Sequence, residues 1–208
     1  MEEDWRIPPK RRSGIPLPPK PHWRECKVKT STRRLVIIAL FGALSTVLMW
    51  FPKFPLLPHV PFMSYDFSDV PVLIGTFTLG PVAGFFITTI KNVLYFMTRS
   101  RSGLIGTFMN WSTTLAFILV AGIIYGMMRN KIRGAAVGMA AGIVALTAVG
   151  VVLNIYVALP IWGIPAGEIR EMITSAVVPF NLLRGAISSV TTFVLFPRAS
   201  KLLRGFTE

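Results

Sequence analysis

Long apolar tracts, cut by short polar or proline-rich interruptions, set the pattern of this chain, and most of the tracts have membrane-spanning length. The first covers residues 35–50 and stops at Phe51-Pro52. A second tract, residues 70–98, carries Lys91 as its single charge. At ~1.5 Å per residue, its 29 residues would overrun the ~30 Å hydrocarbon layer, and Leu79-Gly80-Pro81 breaks it internally. Divided there, it yields two spans. The earlier of these, residues 68–79, is too short to cross alone unless protein surrounds its ends. Three further spans follow at 103–128, 134–159 and 172–196. The pattern predicts an all-α membrane protein with six transmembrane helices.

Charge placement tests the division. With the amino tail inside, six spans put Arg129, Lys131, Arg133, Arg198, Lys201 and Arg204 on the inner side, against Lys53, Arg99, Arg101 and Arg170 outside. Five spans would leave Arg99, Arg101 and Arg170 inside against seven outside, reversing the usual bias. Both termini are therefore expected in the cytoplasm, the chain crossing the membrane several times. Residues 1–34 hold ten Lys or Arg and six prolines, a composition that builds no core, so they read as a disordered cytoplasmic tail. The membrane domain is expected over 35–198, with a short cytoplasmic tail at 199–208.

Composition agrees: 52% of residues are hydrophobic, 15% are charged and the mean hydropathy is +0.59. The net charge of +13 lies in tails and loops, so nucleic acid is not an expected partner, and membrane lipids are. Cys26 is the single cysteine and His22 and His59 the only histidines, which argues against a metal site. No GxxxxGK[ST] motif occurs, so the chain does not use ATP by that route and energy for any transport must come from elsewhere. Neither a nucleophile with a base nor opposed carboxylates can be picked out, and an enzyme is not expected.

Candidate chemistry lies where polar groups enter the apolar tracts. Charge at bilayer depth costs roughly 3 kcal/mol or more, so Lys91 and Arg184 should face a cavity or a protein interior. Asn110, Asn154 and Asn181 join them, and Asn181, Arg184 and Ser188 fall on one helical stripe. Every acidic residue lies in a tail or an external connection, so Arg184 has no evident carboxylate partner and is expected to meet a ligand. Lys91 has three readings: snorkelling, pairing with Asp66, or ligand contact. The connection 53–71 is rich in proline and apolar residues, Met63 and Tyr65 among them, and reads either as an interfacial segment or as a lid. Asp66 and Asp69 precede the second span; capping accounts for Asp69, while Asp66 is a candidate for ligand or lid contact. Small residues four apart, Ala39 with Ala43 and Gly134 with Gly138 and Gly142, serve either packing in this bundle or docking to another membrane subunit.

These segments resemble the substrate-binding (S) components of energy-coupling factor (ECF) vitamin transporters, and among them the riboflavin-specific type. The likeness rests on Tyr65-Asp66-Phe67-Ser68-Asp69-Val70-Pro71, Leu79-Gly80-Pro81, Lys91-Asn92, Met109-Asn110-Trp111, Leu153-Asn154 and Pro179-Phe180-Asn181-Leu182-Leu183-Arg184-Gly185, in that order and spacing. The resemblance implies riboflavin as a transported ligand and no cofactor. The pocket would lie under a lid-like first external loop, and a transmembrane coupling (T) protein with two cytoplasmic ATPases would supply energy. It makes Asn154 and Arg184 polar ligand contacts, with Met63, Tyr65, Asp66, Lys91, Asn110 and Asn181 completing the candidate set, and Ala39 and Ala43 the docking patch for the coupling protein. Two departures stand out: Lys is expected more often where Arg184 stands, and the long basic tail is not a family feature. The residues alone also permit another vitamin, or a transporter that works by itself.

Overall fold

The computed structural model describes residues 32–50, 53–57, 63–99 and 103–207. The expected tail falls outside them except for its last three residues, as do Phe51, Pro52, Arg101 and the tip of the first connection with Pro58, Pro61 and Phe62. Among the described residues, six helices make up the body. They are α1 (Thr32–Trp50), α2 (Asp69–Leu79), α3 (Pro81–Arg99), α4 (Gly103–Met127), α5 (Lys131–Ile161) and α6, which runs through Ala166–Met172, Ile173–Val177 and Val178–Thr207. Between α1 and α2 a short antiparallel pair, β1 (Phe54–Pro55) and β2 (Ser64–Tyr65), joins Phe54 to Tyr65 and Pro55 to Ser64.

Four helices, α1, α4, α5 and α6, are long and apolar enough to cross a membrane. The division at Gly80 has a local cause. Gly80 takes φ 94°, a conformation that favours glycine, and donates its N–H to the Thr76 carbonyl, while Pro81 opens α3 where no amide donor is needed. Eleven residues give α2 only ~16 Å of length. It is buried from Asp69 through Phe77 and packs against α1, α3, α4 and α6, so protein does surround it.

Outward faces carry large exposed apolar side chains, among them Leu40, Val47, Phe86, Met97 and Val144, as a lipid-facing bundle requires. Val72, Leu73, Ile87, Phe117, Ile118 and Leu146 fill the interior. The glycine row belongs to this packing. A Cβ on Gly138 would stand 2.6 Å from the Ala121 carbonyl oxygen, and one on Gly142 would stand 2.8 Å from that of Phe117. Backbone touches backbone between α4 and α5, which resolves the glycine alternatives in favour of the bundle itself. Ala39 and Ala43, by contrast, are exposed on α1.

Several boundaries lie beyond those expected, two of them for local reasons. Asn130 accepts the Arg133 N–H at 3.1 Å and so starts α5 one turn early. At the other end α6 continues through Pro197 to Thr207 instead of leaving a tail from 199, because Ala199, Lys201, Leu202, Leu203 and Arg204 favour helix.

Candidate ligand-binding cavity

Successive helices reverse direction, which gathers the starts of α2, α4 and α6 with the ends of α1, α3 and α5. A cavity of about 590 Å³ opens there. Met49, Met63, Met109, Leu159, Trp162 and Phe180 provide apolar walls, and Asp66, Asn110, Asn154, Asn181 and Arg184 provide polar ones. The volume lies inside the ~300–1,000 Å³ range of small-molecule sites.

Two prolines shape the wall. In α5 the residues Asn154–Ala158 form a π turn before Leu159-Pro160, and in α6 Ile173–Val177 form another before Val178-Pro179. Leu159 donates its N–H to the Asn154 carbonyl and Val178 to the Ile173 carbonyl, each five residues back. A proline brings no N–H, and its ring would strike the carbonyl four residues earlier, so one wide turn just before it relieves the clash. Asn154 sits on the first of these turns, and Asn181 follows the second by one helical turn. Their amide nitrogens bond back to Gly150 (2.7 Å) and Val177 (2.8 Å) carbonyls. That leaves the amide oxygens for a donor in the cavity. Asn110 Oδ1 is buried and takes no donor among the described residues. Gly150 allows the two helices to meet, since a Cβ there would lie 2.8 Å from Asn181 Nδ2.

Both cations are buried in the protein, but their partner is not one the sequence suggested. Arg184 does have a carboxylate partner: Asp69 Oδ2 accepts from its Nε at 2.9 Å and lies 2.8 Å from Nη2. Asp69 Oδ1 accepts from Lys91 Nζ at 2.9 Å and from Thr114 Oγ1 at 3.1 Å. Lys91 also donates to Ser68 Oγ at 3.0 Å and is fully buried, so it neither snorkels nor pairs with Asp66, and the cavity lining does not include it. Of the two acidic readings, only that of Asp69 as a cap changes. Asp66 Oδ1 accepts the Ser68 N–H at 3.0 Å, turning the chain into α2, and its residue lines the cavity, whereas Asp69 carries the ion cluster. The available signal for Asp69 was its position. Two cations sunk among apolar helices need an anion, and Asp69 alone begins a short span that protein must envelop.

Tyr65 lies beside the cavity, outside its lining: the residue is 2% exposed, and its phenol meets Ser188 Oγ at 3.1 Å. Burial pushes the Tyr65 phenol up to about 12, well above its ordinary value. Together with the edge contact between Tyr65 and Phe67, this bond ties the base of the first connection to α6. On its other side Lys53 donates to Tyr95 Oη at 2.7 Å, and both residues line the cavity. Neither was anticipated from the sequence, because Lys53 reads as a loop charge and Tyr95 as an interfacial aromatic.

A polar-walled cavity at one end of a lipid-facing helical bundle defines a membrane protein built to hold a small molecule. Residues 33–196 match the family "ECF transporter, substrate-specific component", and the chain belongs to it. It is thus a transporter component of the cell membrane and not an enzyme. Among its relatives, the "Riboflavin transporter RibU" of Staphylococcus aureus (strain TCH60) is 33% identical over 178 residues, covering 83% of this chain and 93% of that one. RibU of Lactococcus lactis subsp. cremoris (strain NZ9000) is 35% identical, covering 80% and 82%. The "Riboflavin transporter FmnP" of Bacillus subtilis (strain 168) is 30% identical, covering 79% and 90%. A solved structure described as "Structure and mechanism of the S component of a bacterial ECF transporter" superposes with a TM-score of 0.72 at 33% identity, covering 82% of this chain and 97% of that one.

Proposed function

We propose that the chain binds riboflavin in this cavity from the outer face of the membrane and delivers it as the S component of an ECF transporter, with a T protein and two cytoplasmic ATPases supplying the energy. The observation that carries the reading is the pairing of apolar, aromatic and thioether walls with a cluster of amides and a guanidinium. A flat heteroaromatic ring with one polar edge needs such a container. The names of the relatives support the vitamin's identity.

Orientation follows from charge. Arg129, Lys131, Arg133 and Arg198 lie at the end away from the cavity, so that end and both termini face the cytoplasm. The described parts of the first connection, residues 53–57 and 63–68, serve as a lid held at its base by Tyr65 and Lys53. Met63, Asp66, Asn110, Asn154, Asn181 and Arg184 contact the ligand. Ala39 and Ala43, small and exposed on α1, form the docking patch for the T protein.

Purification in detergent tests the core of this reading. The expected result is protein that carries riboflavin at about one per chain, seen as yellow absorbance, or that quenches the fluorescence of added riboflavin. Colourless protein without quenching would overturn it.

A further inference from the structure

We propose that Asp69 is a positioning residue for ligand binding, which holds Arg184 at the cavity wall without touching the ligand, and that Lys91 keeps the cluster cationic. The proposal rests on the flavin reading above. Asp69 is 1% exposed and is not part of the cavity lining, whereas Arg184 is. Its carboxylate takes the guanidinium side-on, through Nε at 2.9 Å and Nη2 at 2.8 Å, and Thr114 Oγ1 accepts from Nη2 at 2.8 Å. These contacts fix the guanidinium plane and leave Nη1 as the nitrogen that no protein acceptor takes among the described residues.

Lys91 explains why so tight a pair still offers charge. A carboxylate facing one guanidinium would nearly cancel it. Here the same carboxylate also serves a fully buried ammonium, so two cations share one anion and the cluster keeps a formal charge of one. Burying three ions is costly, and apolar residues would serve a purely structural purpose as well or better. The four residues involved come from α2, α3, α4 and α6, and the one exposed to the cavity is the most versatile hydrogen-bond donor of the set.

The test is a cycle of variants read by riboflavin fluorescence quenching. Asp69→Asn with Lys91→Met removes one charge of each sign, so the net charge of the cluster is unchanged and Arg184, at the cavity wall, is the one ion left in it. This double variant should fold yet bind riboflavin at least tenfold more weakly than wild type. In an Arg184→Ala background the same two changes should cost less than threefold, because Asp69 would have nothing left to position. An equal loss in both backgrounds, or none in either, overturns the proposal. If the double variant does not fold, Thr114→Val leaves every charge in place, and its loss should likewise vanish without Arg184. Lys91→Met alone should lower the reduction potential of bound riboflavin, since less positive charge then stabilises the reduced, anionic ring; an unchanged potential overturns the role given to Lys91. Wild-type protein that binds no riboflavin sinks the flavin reading and this proposal together. Wild-type binding with a loss independent of Arg184 sinks only the proposal.

Discussion

At the scale of single residues, the site depends on amides and one guanidinium held by their own neighbours. Asn154→Ala or Arg184→Ala would leave buried ligand atoms unpaired, and each should weaken riboflavin binding by about 1–3 kcal/mol in a quenching titration. Unchanged affinity would move the ligand away from these side chains. Gly150→Ala tests the approach of α5 to α6. The added methyl occupies the space of the Asn181 amide, whose bond to Val177 must then break, so affinity should fall about tenfold while the bundle persists. Tyr65 has a pH signature. Its phenol stays neutral in the folded chain up to about 12, so the stabilisation it provides is complete below the ordinary value of ~10 and is lost as the pH rises through about 12. Thermal unfolding over that range should fall more steeply for wild type than for Tyr65→Phe. These side chains differ in how far the sequence exposes them. Asn154, Asn181 and Arg184 stand out because they are polar within apolar tracts. Asp69 does not, since an aspartate at a helix start already has an ordinary explanation as a cap.

At the scale of elements, α2 and the two π turns matter most. Gly80-Pro81 announces the break after α2, but nothing in the periodicity announces a wide turn, which depends on how a helix accommodates the missing donor of Pro160 or Pro179. Pro160→Ala restores that donor and lets the Asn154 turn tighten to an ordinary α-helix. The expected outcome is a melting temperature equal to or above that of wild type, together with riboflavin affinity about tenfold lower because Asn154 rotates about the helix axis. Affinity unaffected by the change would mean that the π turn does not orient Asn154. The glycine row of α5 was equally readable as bundle packing or as an external dock. Only the position of α4, with its Ala121 and Phe117 carbonyls against Gly138 and Gly142, decided between them.

For the whole molecule, orientation and partnership are the open tests. Cys26 is the lone cysteine and lies in the basic tail, so a membrane-impermeant thiol reagent should leave it unlabelled in intact cells and label it after lysis. Labelling of intact cells would invert the topology and turn the cavity toward the cytoplasm. Replacing Ala39 and Ala43 with Trp should abolish riboflavin uptake by cells while purified protein binds the vitamin as before, because the bulk stands on the exposed face of α1, away from the cavity. Loss of binding by the purified variant would argue against a docking role for this face.

By itself, the sequence determined that this is a helical membrane protein, how many helices it has, and which polar side chains enter them. Hydrocarbon leaves so little freedom to charge and to unpaired backbone that composition and spacing carry that information directly. Tertiary structure decided which charges neutralise one another and which remain for a ligand. Asp69, Lys91 and Arg184 are widely separated in the chain and meet only because α2, α3 and α6 pack side by side, a contact that no local pattern records.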